Sequence, residues 1–99
     1  MSDENGTGIV TRLLRIHGRV QGVSYRACAQ EEATRLGLRG WVRNRSDGSV
    51  EALVIGTETE VDTFIGWARR GPPKAAVTRV EIATVDDDPR TGFELRPTV

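Results

Sequence analysis

The chain of 99 residues has few of the side chains on which many enzyme classes depend. Cys28 is the only cysteine, so neither an internal disulfide nor a cysteine-based zinc site can form within one chain. His17 is the only histidine, which excludes a histidine-rich metal site and a Ser-His-Asp triad. Metalloenzymes and triad hydrolases of these kinds are therefore excluded.

Long apolar runs and a net charge are lacking as well. The longest apolar runs last only a few residues, as in 52–55, whereas a membrane span needs roughly 20. The segment from Met1 to Gly8 is acidic and polar instead of basic and then apolar, so we expect no signal peptide, no membrane partner and a cytoplasmic protein. Lysine and arginine together number 14 and balance 14 acidic residues, so no nucleic acid partner is expected.

The remaining composition is that of an ordinary globular domain. Apolar residues make up 37% and charged residues 28%, which is too hydrophobic for a disordered chain. A chain of this length supports one hydrophobic core. We therefore expect a flexible tail over residues 1–8, a single domain over residues 9–99 and a monomer.

Strand and helix periodicities alternate along the chain, and turn residues mark nearly every change. The Asp47-Gly48 pair predicts a hairpin between two strands, and Thr57 with Glu60 forms a capping box before the second helix. The predicted elements are a strand over 9–17, a helix over 25–36, strands over 38–44 and 49–56, a helix after Thr57 that ends at 69–73, and strands over 77–85 and 93–96.

This order predicts an α+β fold of the ferredoxin-like type. In that β-α-β-β-α-β sandwich an antiparallel sheet carries two helices on one face, here with a short extra C-terminal strand. The fold hosts regulatory domains, RNA-binding domains, metal chaperones and small hydrolases. The architecture therefore does not decide the function.

The segment between the first strand and the first helix is rich in glycine and ends in an arginine. It reads Gly18-Arg19-Val20-Gln21-Gly22-Val23-Ser24-Tyr25-Arg26. Glycines let successive N–H groups face one concavity, and the following helix N-terminus adds free N–H groups and a positive dipole end. The forked guanidinium of Arg26 could bind two phosphate oxygens there. The residues alone also allow a plain β-α loop in which the glycines only make the bend and Arg26 is solvated.

Three segments resemble the acylphosphatase family, in the order in which that family has them. Residues 18–26 are similar to its signature G-[RK]-V-Q-G-V-x-[FY]-R at every position. Residues 40–51 resemble its segment GxVxNxxDGxVE, and residues 71–77 resemble its GPPxAxV stretch. The resemblance covers residues 13–96, nearly all of the chain outside the N-terminal tail.

The resemblance implies hydrolysis of the carboxyl-phosphate bond of acyl phosphates to a carboxylate and inorganic phosphate, with no metal or organic cofactor. Arg26 matches the family's phosphate-binding arginine, and Asn44 matches the asparagine that positions the attacking water. The implied phosphate-binding loop consists of Gly18, Arg19, Val20, Gln21, Gly22, Val23, Ser24 and Tyr25. A small acyl phosphate is the implied substrate, and inorganic phosphate is the implied product and competitive inhibitor. Arg45, which follows the asparagine, could alter substrate preference.

The chemistry of this reaction fits so short a set of residues. A carboxylate leaving group has a conjugate-acid pKa of roughly 4 to 5, so it departs without a protein acid. The transition state spreads charge over the phosphoryl oxygens, where fixed donors stabilise it. A neutral amide such as that of Asn44 can both donate to and accept from a water molecule. We expect the phosphate oxygens themselves to accept the proton of that water.

Two other interpretations stay open. One is a non-catalytic module of the same fold that binds a phosphorylated metabolite or a carbamoyl group. The other is a partner-binding or nucleic-acid-binding domain, which the neutral charge and the small number of aromatic residues disfavour. We expect His17 and Cys28 to have structural or surface roles, and the acidic run 86–88 to form a solvated loop.

Overall fold

The computed structural model describes residues 8–99, in which strands and helices follow the predicted order. The elements are β1 (Ile9–Arg19), α1 (Tyr25–Leu36), β2 (Arg39–Asn44), β3 (Val50–Thr57), α2 (Glu58–Arg70), β4 (Ala76–Thr84) and β5 (Phe93–Arg96). The expectation of an α+β ferredoxin-like fold is confirmed. Apart from Gly8, the predicted tail lies outside the described residues.

The five strands form one sheet in the order β4-β1-β3-β2-β5. The first four pair antiparallel as predicted, with β1 between β3 and β4 and with β2 against the far side of β3. The short fifth strand runs parallel to β2, so the sheet is mixed and not wholly antiparallel. The sequence pattern could not show this, because side chains alternate with a period of two in both strand directions.

The alternation of side chains divides the sheet into a helix-covered face and an open face. On the covered face Leu14, Ile16 and Val42 are fully buried beneath α1 and α2. On the open face Trp41, Leu53 and Ile55 form a smaller apolar cluster. A residue's position in its strand therefore decides whether its side chain lies on the same side as the helices.

The helix ends follow from local sequence. Thr57 and Glu60 make both hydrogen bonds of the predicted capping box, each at 3.2 Å, at the start of α2. Gly37 ends α1 in the left-handed conformation, with φ of 78°. Neither helix in residues 8–99 has the length and apolar character that crossing a membrane requires.

Candidate active site

The site begins where β1 ends in an irregular pairing with β4. The register shifts between His17 and Gly18, and Gly18 has a φ of 118°. A Cβ atom on Gly18 would lie 2.2 Å from the carbonyl oxygen of Ala76, so only glycine fits here. Gly18 and Arg19, assigned to the loop by the sequence, are the last residues of β1, and the loop itself covers residues 20–24.

The loop of residues 20–24 is fixed by apolar anchors and turns sharply between them. Val20 and Val23 are buried in the core, with exposed fractions of 1% and 7%. Gly22 and Ser24 have positive φ values of 75° and 64°. Left-handed residues alternating with ordinary ones are typical of backbone that directs its amides into one anion-binding concavity.

Ser24 begins α1 without covering its free amides. It is the N-cap residue, but its side chain makes no capping hydrogen bond, and the first turn holds no acidic residue. The first N–H groups of a helix have no partner within the helix and carry the positive end of its dipole. The N-terminus of α1 is therefore suited to a phosphate group.

Tyr25 lines the cavity described below, and its side-chain hydroxyl links α1 to α2. Its hydroxyl donates a hydrogen bond of 2.8 Å to the carbonyl of Ala68 in the last turn of α2. In a continuing helix that carbonyl would accept from residue 72, which is a proline and has no N–H. Burial raises the pKa of the Tyr25 hydroxyl, which keeps it a donor.

Arg26 lies in the first turn of α1 and is oriented by the end of β5. Its Nη1 donates to the carbonyl oxygen of Arg96 at 3.3 Å, and its side chain is half-buried. A guanidinium has five N–H donors, so this single bond leaves the others available to an anion.

Asn44 is the last residue of β2 and lies opposite Val50 of β3. Because Val42 faces the helices, the alternation places Asn44 on that side too. The backbone carbonyl of Asn44 accepts a hydrogen bond of 3.1 Å from the N–H of Val99. The turn that follows is fixed by Asp47, whose Oδ1 accepts from both the N–H and the hydroxyl of Ser49, at 2.9 and 2.6 Å.

A cavity of about 340 Å³ brings these groups together beside the N-terminus of α1. Its lining residues are Val20, Gln21, Gly22, Ser24, Tyr25, Arg26, Ala27, Asn44 and Leu95. Arg26 and Asn44 thus share one cavity, as the sequence interpretation requires. Gly18, Arg19 and Val23 are not part of the lining.

Leu95 is a lining residue that sequence reasoning missed. It reaches the cavity because β5 pairs with β2, where Leu95 lies beside Val42. Its exposed fraction of 45% is high for a large apolar side chain in a strand. The place of Leu95 beside the cavity can be inferred only once the strand that pairs with β5 is known.

Arg45 points to the opposite face of the sheet. Its Nη1 lies 3.0 Å from Oε1 of Glu51, which also accepts from Nε of Arg43 at 2.8 Å. Burial by itself raises the pKa of the Glu51 carboxyl, but hydrogen bonds from Arg43 and Arg45 outweigh it and hold the pKa below its usual value. The guanidinium of Arg45 is therefore committed to Glu51 and is not part of the cavity lining.

Within the described part of the chain, titratable groups that could act as a base or bind a metal do not line the cavity. His17 Nε2 is 3.0 Å from Oε1 of Glu81 at the exposed β1–β4 pairing, and His17 does not line the cavity. In residues 8–99 no group of three or more His, Cys, Asp or Glu side chains could hold a metal ion. The polar groups of the site are thus neutral or cationic.

Comparisons with known proteins agree with the geometry. The acylphosphatase family model matches residues 13–95. The chain is 57% identical over 98 residues to an acylphosphatase of Azoarcus sp. strain BH72, covering 99% of both chains.

Solved structures show the same relationship. The fold is similar to an acylphosphatase from Coxiella burnetii, with a TM-score of 0.88 and 29% identity, covering 96% of this chain and all of that one. It is similar also to the acylphosphatase from Bacillus subtilis, with a TM-score of 0.86 and 32% identity, covering 90% of this chain and 99% of that one. The chain therefore belongs to the acylphosphatase family and is a hydrolase of acyl phosphates.

Proposed function

We propose that the enzyme binds the phosphoryl group of an acyl phosphate between Arg26 and the loop of residues 20–24, and that Asn44 positions the attacking water. The observation that supports this is the shared cavity, to which α1 contributes Arg26 and β2 contributes Asn44.

Binding and charge stabilisation fall to Arg26 and the backbone. The phosphoryl oxygens accept from the guanidinium and from the free amides at the start of α1. The transition state is loose, and its charge lies on those same oxygens. Donors fixed by the buried Val20 and Val23 and by the Arg96 contact need little reorganisation as that charge develops.

Water activation and departure of the leaving group need no titrating side chain. The carboxylate product is stable without protonation by the protein. Asn44 holds the water in line with the scissile P–O bond through donor and acceptor atoms of one amide. The phosphoryl oxygens accept the proton that the water releases.

The substitution Asn44→Ala tests the role assigned to the water-positioning amide. We expect kcat on acetyl phosphate to fall by about 10²-fold or more, since the water loses its fixed orientation. The inhibition constant of phosphate should change little, because the charge complementarity resides at Arg26 and the loop. Ser46→Ala is the matched control, since Ser46 lies in the same hairpin outside the cavity lining and should leave kcat unchanged.

The measurements are steady-state kinetics with and without a chelator. Inorganic phosphate should raise the apparent KM without lowering kcat, and EDTA should have no effect. Most of the activity surviving in Asn44→Ala would remove Asn44 from the mechanism. Inhibition by phosphate that lowered kcat and left KM untouched would count against a site shared by phosphate and substrate.

A further inference from the structure

Gln21 lines the cavity, but its side-chain amide binds the protein itself. Nε2 donates to the backbone carbonyl of Arg45 at 2.8 Å and to that of Ser49 at 2.9 Å. A glutamine NH₂ group has two hydrogens, so both are engaged by the β2–β3 hairpin. The amide nitrogen therefore has no hydrogen left for a phosphate oxygen.

We infer that Gln21 is a positioning residue, which holds the hairpin that carries Asn44 at a fixed place relative to the loop that precedes Arg26. The inference rests on the proposed role of Asn44. Gln21 comes from the loop that begins the phosphate site, and both of its acceptors come from the hairpin. No covalent or proton-transfer step is assigned to Gln21.

The two acceptors lie at the base of the hairpin, next to Asn44. Arg45 follows Asn44 directly in the chain, and Ser49 directly precedes Val50, the strand partner of Asn44. The Gln21 side chain thus donates hydrogen bonds to the backbone of both sides of the hairpin. A change of about 1 Å in the place of a reacting group can cost roughly 10²-fold in rate, so the position of this hairpin matters for a water held by Asn44.

The hairpin does not need Gln21 in order to close. The carbonyl of Ser49 also accepts from the N–H of Arg45 at 2.8 Å, and the carbonyl of Arg45 also accepts from the N–H of Gly48 at 3.0 Å. Each carbonyl therefore keeps a backbone partner when the glutamine amide is removed. The link between loop and hairpin is lost, while the turn stays satisfied.

The substitution Gln21→Met tests the inference, because methionine has a similar length and no N–H donor. We expect kcat on acetyl phosphate to fall about ten-fold or more. The inhibition constant of phosphate should stay within about three-fold, since Arg26 and the loop amides remain. Gln30→Met is the matched control: Gln30 donates the same kind of bond to the carbonyl of Phe93, at 3.0 Å, outside the cavity lining, and its loss should leave kcat within about two-fold.

A double-mutant cycle shows whether Gln21 acts through Asn44. In an Asn44→Ala background, Gln21→Met should cause no further loss of kcat. An equal fall in kcat for Gln21→Met and Gln30→Met, a loss confined to phosphate affinity, or a full additional loss in the double variant would overturn the inference.

The same experiments separate this inference from the proposed function. If Asn44→Ala is inactive and Gln21→Met is as active as wild type, only the role of Gln21 is wrong. If Asn44→Ala keeps its activity, the proposed function loses its water-positioning residue, and the role of Gln21 is overturned with it.

Discussion

At the scale of single residues, the structure explains why an arginine and not merely a cation stands at the N-terminus of α1. One amino group of Arg26 is engaged by the carbonyl of Arg96, so the side chain is oriented before substrate arrives. The remaining N–H groups of the planar fork can then meet two phosphoryl oxygens at once. A lysine ammonium is a compact, hydrated point charge and cannot reproduce that geometry.

Arg26→Lys should therefore lower kcat/KM on acetyl phosphate by about 10²-fold, equivalent to about 2.7 kcal/mol of transition-state stabilisation. The fold should be unaffected, because Arg26 is half-buried and makes one hydrogen bond at the edge of the loop. Steady-state kinetics together with a thermal melt check this. Near-normal turnover, or a loss that unfolding accounts for, would remove Arg26 from the catalytic role proposed for it.

The residues of the site were predictable where a local motif carries them. Arg26 and Asn44 follow from motif positions, and both line the cavity. Gly18 was assigned to the loop, although its positive φ serves the close approach of β4, a strand far along the chain. Leu95 was not predicted, because its place depends on which strand β5 adjoins. Local patterns do not contain such long-range pairings.

At the scale of elements, a hydrogen bond from one hydroxyl links the start of α1 to the end of α2. Tyr25 satisfies the carbonyl of Ala68, which has no backbone donor because residue 72 is Pro72. Tyr25→Phe should lower the free energy of unfolding by about 1–2 kcal/mol, since a buried carbonyl loses its partner. Turnover per folded molecule should stay near wild type.

Thr63→Val is the matched control for Tyr25→Phe. The Thr63 hydroxyl also donates to a carbonyl of α2, that of Thr59, at 2.9 Å, but on the exposed side of a regular helical turn. Its removal should change stability by less than about 0.5 kcal/mol. If urea unfolding showed equal losses of unfolding free energy for the two variants, the capping role of Tyr25 would be contradicted.

The existence and order of the elements could be predicted because short local motifs mark where elements begin and end. The capping box at Thr57, the turn at Asp47-Gly48 and the stop at Gly37 all act within a few residues. The direction of β5 relative to β2 could not be predicted, since four residues with a period of two fit either direction.

At the scale of the whole molecule, three of the arginines surround a buried carboxylate on the open face of the sheet. Glu51 has a side-chain exposure of 7% and lies within 4 Å of guanidinium atoms of Arg15, Arg43 and Arg45. Its pKa is lower in the folded chain than in the unfolded chain. The stabilisation is therefore complete above the unfolded value of about 4.3 and is lost as the pH falls through the lower folded value.

Glu51→Gln should lower the free energy of unfolding at neutral pH by about 2 kcal/mol. This is less than for a fully buried pair, because the three arginine side chains are 25–31% exposed. The difference from wild type should shrink as the pH falls below about 4. Urea unfolding measured from neutral pH to below about pH 4 checks this prediction. Glu81→Gln is the exposed control, and its free energy of unfolding should differ little from that of wild type. A difference that does not depend on pH would show that charge at Glu51 is not the cause.

The interior position of β1 in the sheet, between β3 and β4, has a consequence for how the chain folds. β1 hydrogen-bonds to β3 and β4, so the first strand to be synthesised cannot complete its pairing until β4 is available. Sheets built from such distant partners fold slowly, because the entropy of closing long loops is lost before the contacts that compensate for it can form. Arg26 follows β1, Asn44 ends β2, and the carbonyl that orients Arg26 belongs to β5. During refolding, catalytic activity should therefore return only with the complete sheet, because no smaller part of the chain contains the whole site.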